Sequence, residues 1–155
     1  MLNRLQDVFA SLQKHKVKYV VIGGIAAVLY GVPRATFDLD ILIEATKENA
    51  QRLLEAFLDA RLGTASLITA DELLANEVTI FKDRVRIDVQ TSTPGLSFEK
   101  AWRNKVEMRY RGQMFYVVSK EDLIASKRAA GREIDMQDVR LLELSEGQTS
   151  QPQEE

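Results

Sequence analysis

The most constraining feature of this sequence is a strand, a glycine pair, a helix and a second strand packed into residues 19–44. A β-branched apolar run at 19–22 ends at Gly23 and Gly24, and an alanine-rich apolar stretch follows. This order predicts a strand, a tight turn and a helix. Pro33 prevents the helix from continuing, and residues 37–44 then alternate apolar with acidic side chains, as a strand does. The sequence therefore predicts an α/β domain.

Three aspartates stand where the predicted strands present polar side chains. Asp38 and Asp40 are two residues apart in one strand, so their carboxylates share a face. Predicted strands at 78–82 and 85–91 form a hairpin-like pair, and alternation places Asp88 on its polar face. Such carboxylates suit one or two Mg²⁺ ions that also bind phosphate oxygens. We expect Asp38, Asp40 and Asp88 to be catalytic metal ligands, with Asp88 also the candidate base.

Residues near these aspartates could hold phosphates. Gly23 and Gly24 have no side chains to obstruct a phosphate group, and they precede a predicted helix whose first N–H groups favour an anion. Arg34 and Thr36 lie on the segment that leads into the Asp38 strand, where they could add a charged fork and a hydroxyl. The sequence thus predicts a site for a nucleoside triphosphate (NTP).

The rest of the chain predicts further helices and strands around this centre. Apolar spacing, caps and turn residues indicate helices at 2–12, 46–61, 69–76, 97–103, 119–131 and 134–144, and strands at 106–110 and 114–118. Gly63 is the expected stop of the second of these helices. Residues 1–144 are expected to form a single domain, whereas the polar tail 145–155 is expected to be disordered.

Composition excludes several classes of protein. The chain has 155 residues, enough for one core, and no cysteine, which excludes disulfides and thiolate sites. Its 21 basic and 23 acidic residues leave no nucleic-acid footprint. We expect no signal peptide and no membrane span, and we expect the protein to be cytoplasmic.

Residues 21–43 resemble the minimal nucleotidyltransferase superfamily, the DNA polymerase β-like proteins. The signature of that superfamily is a Gly-Gly or Gly-Ser turn followed by Asp-x-Asp, here Gly23-Gly24 and Asp38-Leu-Asp40. The order Arg34-x-Thr36-x-Asp38-x-Asp40 looks most like a branch of small bacterial proteins that includes the AbiEii-type toxins of toxin–antitoxin systems. The resemblance extends to Arg86-Ile-Asp88 and to residues 118–138, and covers roughly residues 19–142.

The resemblance implies a fold and an activity. The fold is a nucleotidyltransferase fold, a mixed β-sheet with helices packed on it. The activity is transfer of a nucleoside monophosphate from an NTP to a protein or RNA (tRNA) acceptor, with Mg²⁺ as the cofactor and release of pyrophosphate. Lys127 matches a lysine that approaches the nucleotide, and Arg132, Asp135 and Asp138 match the pattern that follows it. The alternative for these last four residues is a set of exposed salt bridges.

Two departures from the superfamily pattern affect the expected site. Gly24 stands where many members have serine, so backbone N–H groups replace a hydroxyl contact to phosphate. From its length, we also expect no extended C-terminal helical domain to hold a base or an acceptor. Part of the cleft could therefore come from a cognate antitoxin or from a second copy in a homodimer.

Other interpretations remain open from the sequence. A catalytically silent nucleotide-binding or partner-binding module would carry the same motifs. A dinucleotide-binding turn lacks its G-x-G-x-x-G pattern, and an EF-hand lacks its loop glycine. His15 is expected on the surface among lysines, and Phe98 and Trp102 are expected in the core rather than stacked on a base.

Overall fold

The computed structural model describes residues 2–144, so the tail predicted to be disordered lies outside the described residues. Within residues 2–144 there are seven α-helices: α1 Gln6–Lys14, α2 Gly23–Leu29, α3 Lys47–Asp59, α4 Ala70–Leu74, α5 Phe98–Asn104, α6 Lys120–Ala130 and α7 Glu133–Leu144. The same residues contain six strands: β1 Tyr19–Ile22, β2 Asp38–Ile43, β3 Val78–Lys82, β4 Arg86–Gln90, β5 Val106–Tyr110 and β6 Gln113–Val117. Searched over that range, no helix has the length and apolar character that crossing a membrane requires.

The described strands form one mixed sheet in the order β3-β4-β2-β1-β6-β5. Strands β1 and β2 are antiparallel, whereas β2 and β4 are parallel, as are β1 and β6. Hairpins add the two outer strands, β3 beside β4 and β5 beside β6. The mixed sheet with packed helices confirms the expected fold class.

Alternation along the strands gives the sheet two different faces. One face carries Leu39, Ile41 and Ile87 and is covered by α1 and α3, each of which packs a phenylalanine against a phenylalanine of the sheet, stacked for α1 and edge-on for α3. Phe9 of α1 lies 4.5 Å from Phe115, measured between ring centroids. The opposite face carries Asp38, Asp40 and Asp88, and we call it the carboxylate face. Its residues are less buried because α2, α6 and α7 leave part of it open.

Local sequence accounts for most helix ends. Thr69 and Glu72 form the predicted capping box of α4, and Ser119 caps α6. Gly131 ends α6 with a φ of 68°, a left-handed conformation that glycine adopts without steric cost. The prediction that Gly63 stops α3 is wrong, since the helix ends at Asp59 and the left-handed position is taken by Arg61 with a φ of 64°.

Candidate active site

Strand register brings the three aspartates together. Asp40 of β2 is the register partner of Asp88 on the parallel strand β4, and Asp38 is the partner of Arg86. Because side chains of register partners lie on the same face, all four project from the carboxylate face. The sequence predicted that Asp38 and Asp40 share a face, and the pairing of β2 with β4 adds Asp88 to them.

Asp40 is a partly buried carboxylate with two other carboxylates beside it. Burial raises its pKa to about 7, and the nearby charges of Asp88 and Asp38 and a hydrogen bond with Asp88 act in the same direction. Arg86 opposes this rise only in part. Near neutral pH, Asp40 therefore gives up its proton far less readily than an ordinary aspartate, and a bound cation would favour its ionised form.

Arg86 neutralises part of the charge on this face. Its Nε donates to Oδ1 of Asp88 over 3.0 Å, and its Nη2 donates to Oδ2 over 3.3 Å. The same Nε lies 3.6 Å from Oδ2 of Asp38. Sequence reasoning quoted Arg86 as part of a motif and gave it no role. The sequence did contain a signal for the pairing of Arg86 with Asp88. A basic residue two positions before an aspartate in one strand lies on the same face as that aspartate.

The glycine pair lies directly against the aspartate strand. A Cβ built on Gly23 would be 2.3 Å from Oδ2 of Asp40, and one on Gly24 would be 3.0 Å from Oγ1 of Thr36. Gly23 also has a φ of 69°, which L side chains rarely adopt. The pair opens helix α2 itself rather than forming a separate turn before it. Only glycine leaves the Asp40 carboxylate room at this point.

A cleft of about 540 Å³ opens over the carboxylate face. This volume is in the range of small-molecule sites in proteins. Its sheet side includes Gly23, Asp40 and Asp88, and its helical side includes Lys127 and Arg132. The cleft therefore places carboxylates opposite cationic side chains, an arrangement suited to a ligand that carries both phosphates and metal ions.

A group of charges with a buried centre and an exposed edge at Arg132 joins α6, α7 and the segment before β2. Lys127 Nζ lies 2.8 Å from Oδ2 of Asp138 and 3.8 Å from Oδ1 of Asp135. Arg132 donates to Asp135 through Nε over 2.7 Å, and Arg34 pairs with Asp138. We call these five residues the ion-pair cluster.

The ion-pair cluster changes the expected role of Arg34. The segment before β2 turns its guanidinium toward α7, where Asp138 binds it, while Thr36 lies beside Gly24. Exposed salt bridges are the wrong description of Lys127, Asp135 and Asp138, whose relative exposures are 7%, 2% and 0%. Lys127 lines the cleft as well as pairing with α7, so it is placed to reach a ligand there.

The carboxylate face offers a donor set for Mg²⁺. Asp38, Asp40 and Asp88 offer only oxygen atoms, the ligands that Mg²⁺ prefers, and the three carboxylates lie beside one guanidinium, that of Arg86. Within residues 2–144, no three His, Asp or Glu side chains stand close enough to hold one ion as they are placed. The chemistry fits, and the side chains would have to rearrange around the ion.

Three residues that were not predicted to belong to the site do not line the cleft: His15, Phe98 and Trp102. His15 pairs with Asp59 at the surface, where the Nε2–Oδ2 distance is 3.1 Å. Phe98 and Trp102 pack partly buried against the core, as predicted. Lys105 Nζ lies over the Trp102 ring, 3.9 Å from the ring centroid.

The fold and this site define a nucleotidyltransferase-like protein. The structure resembles the crystal structure of a candidate nucleotidyltransferase from Thermotoga maritima, with a TM-score of 0.57, 19% sequence identity and coverage of 90% of each chain. At that identity the likeness concerns the fold. No curated protein matches the chain significantly. The chain belongs to a family described as nucleotidyltransferases of unknown function (DUF6036), whose model matches residues 2–148.

Proposed function

We propose that this protein is a Mg²⁺-dependent nucleotidyltransferase that transfers a nucleoside monophosphate from an NTP to a hydroxyl group of a protein or RNA acceptor. The observation that supports this most directly is the register of Asp40 with Asp88, which places two carboxylates at the floor of the cleft, while Asp38 lies on the same face at its edge and lines a smaller cavity. Asp38, Asp40 and Asp88 would hold Mg²⁺, which would supply charge neutralisation at the phosphates and at the attacking oxygen.

The residues of the chain divide the work of such a transfer. The acceptor oxygen forms a bond to the α-phosphorus, the bond from that phosphorus to the bridging oxygen breaks, and pyrophosphate leaves. Asp88 would take the proton of the acceptor hydroxyl. Gly23 and Gly24 would leave room for the phosphates beside Asp40 and Thr36, and Lys127 would face them across the cleft.

Incubation with each α-³²P-labelled NTP, Mg²⁺ and bacterial lysate tests the activity. Label on a protein or RNA band is expected with at least one NTP, and it should disappear in Asp38→Ala/Asp40→Ala. The matched control is Asp59→Ala, which removes an exposed carboxylate paired with Lys14 far from the cleft. Labelling that survives the double substitution would contradict the proposal.

A second candidate function is nucleotide binding without transfer. The hydrogen bonds from Arg86 to both oxygens of Asp88 favour it, because they occupy the carboxylate that would take the proton of the acceptor. Tight binding of Mg²⁺ with an NTP, together with no transfer to any cellular fraction, would select this function.

We extend the proposal to a role as the toxin of a toxin–antitoxin pair in the bacterial cytoplasm, which rests on the likeness of the Arg34–Asp40 motif to AbiEii-type proteins. Induced expression should arrest growth of a bacterial host, and Asp40→Asn should not. A cognate antitoxin, or a second copy of the chain, would then complete the cleft. Normal growth under full expression of the wild-type protein would count against this role.

A further inference from the structure

Arg86 lies where a cation is needed on the carboxylate face. Its guanidinium binds both oxygens of Asp88 and approaches Asp38, at the distances given above. Two of the three proposed metal ligands therefore already have a positive partner, because Arg86 lies two residues before Asp88 in β4 and opposite Asp38 of β2.

This partner competes with a metal ion for the same oxygen atoms. A carboxylate oxygen that accepts a charged hydrogen bond has fewer lone pairs left for a metal. A guanidinium within about 4 Å also repels an incoming cation. A divalent ion can bind Asp38 and Asp88 together only if the Arg86 side chain moves away from them.

The structure provides a place for the displaced side chain. A second cavity of about 160 Å³ lies beside Asp38, and Arg86 itself forms part of its wall together with Phe37. The Arg86 side chain is 38% exposed, so it is not locked by packing. The guanidinium can therefore leave the carboxylates without disturbance of the sheet.

We propose that Arg86 is a displaceable counter-ion that lowers the affinity of the carboxylate face for divalent cations. This inference rests on the proposed function, because it takes Asp38, Asp40 and Asp88 to be the ligands of such a cation. A divalent cation then binds Asp38 and Asp88 only when it displaces the Arg86 guanidinium and replaces its positive charge.

Titration of the purified, metal-free full-length chain with Mn²⁺ tests this inference, by calorimetry and by the electron paramagnetic resonance signal of free Mn²⁺. Arg86→Gln should bind Mn²⁺ roughly 10- to 100-fold more tightly than the wild type, the range expected for loss of a competing charged hydrogen bond. A role of Arg86 in folding alone would weaken binding instead. Arg86→Met is the second variant, in case glutamine disturbs the strand.

Lys82→Gln is the matched control. Lys82 is the register partner of Arg86 on β3 and is exposed, so its loss removes an equal charge nearby. We expect its effect on Mn²⁺ affinity to be less than about threefold, because exposed charges are screened.

The outcomes separate this inference from the proposed function. Mn²⁺ binding that is lost in Asp40→Asn but unchanged or weaker in both Arg86 variants overturns the inference alone. Absence of Mn²⁺ binding in the wild type and in both Arg86 variants overturns the inference and the metal-dependent function together. Tightening of similar size in Lys82→Gln would show a general charge effect and would also overturn the role assigned to Arg86.

Discussion

The carboxylate face and the ion-pair cluster are both built from aspartates and basic side chains, yet their charges are balanced differently. On the carboxylate face, three aspartates share one guanidinium, and burial together with the charges of Asp88 and Asp38 raises the pKa of Asp40 to about 7. In the ion-pair cluster, two aspartates are held by three basic side chains, and burial is nearly complete for Asp135 and Asp138.

This difference in charge balance distinguishes a candidate ligand site, the carboxylate face, from a set of contacts that holds helices together, the ion-pair cluster. Buried charges that satisfy one another stabilise the arrangement of helices once it has formed, whereas charges left in excess mark a place where a ligand completes the balance. The cluster ties α7 to α6 and to the segment before β2, so it builds the wall of the cleft. The carboxylate face forms its floor.

The largest expected effect comes from Asp138→Asn. Removal of this charge leaves Arg34 and Lys127 without their buried partner, and breaking a buried ion pair costs about 3–5 kcal/mol of the free energy of unfolding. Urea unfolding at pH 7 measures the loss. The exposed pair of Lys14 with Asp59 supplies the control, because exposed ion pairs add little to stability and Asp59→Asn should therefore change it far less.

Asp40→Asn tests the carboxylate face, where removal of a charge should have the opposite effect on stability. In metal-free buffer this variant should be as stable as the wild type or more stable, because burial and two neighbouring carboxylates disfavour its charge. Destabilisation comparable to that of Asp138→Asn would break the distinction between the two regions.

A smaller effect is expected from Gly23→Ala. The new Cβ would lie 2.3 Å from Asp40 Oδ2 and would force a left-handed residue to carry a side chain, at a cost of about 1–2 kcal/mol. Displacement of Asp40 should also weaken Mn²⁺ binding, which calorimetry would show. Gly63→Ala is the control, because nothing lies within 4 Å of the position of its Cβ. Equal Mn²⁺ affinity in both variants would contradict the contact between Gly23 and Asp40.

The smallest effect is a change in acid sensitivity with Asp135→Asn. Burial alone would raise the pKa of Asp135, but hydrogen bonds from Arg132 and the charges of Arg132 and Lys127 outweigh it and lower the pKa. The stability that its ionised form contributes is therefore present above the unfolded pKa of about 3.9 and is lost as pH falls through the lower folded value.

Urea unfolding at pH 7, 5, 4 and 3 checks this pH dependence. The stability difference between the wild type and Asp135→Asn should shrink as the solution becomes more acidic. A difference that stays constant from pH 7 to pH 3 would show that the ionised carboxylate of Asp135 contributes nothing to the cluster.

Sequence alone predicted the local elements because their signals are local. The capping box of Thr69, the alternation around Asp38 and Asp40, and the glycine after α6 each act within a few residues. The stop of α3 was missed because Arg61 adopts a left-handed conformation that its residue type does not favour.

Contacts between distant parts of the chain were not predictable in the same way. Arg34 was expected to face phosphate, and it pairs with Asp138, 104 residues away. The approach of the Arg86 guanidinium to Asp38 depends on the register of β4 with β2. Alternation within one strand does not determine that register. The aspartates themselves were found from spacing and resemblance, and their role in binding metal stays a prediction.

The parallel pairing of β2 with β4 also affects how the protein folds. Parallel neighbours cannot be joined by a tight turn, and here α3, α4 and β3 lie between them along the chain. Asp40 and Asp88 therefore meet only after the intervening segment has crossed the sheet, and contacts of such large sequence separation form slowly. In a chain emerging during synthesis, the three carboxylates of this face come together only once β4 has been made and has docked on β2.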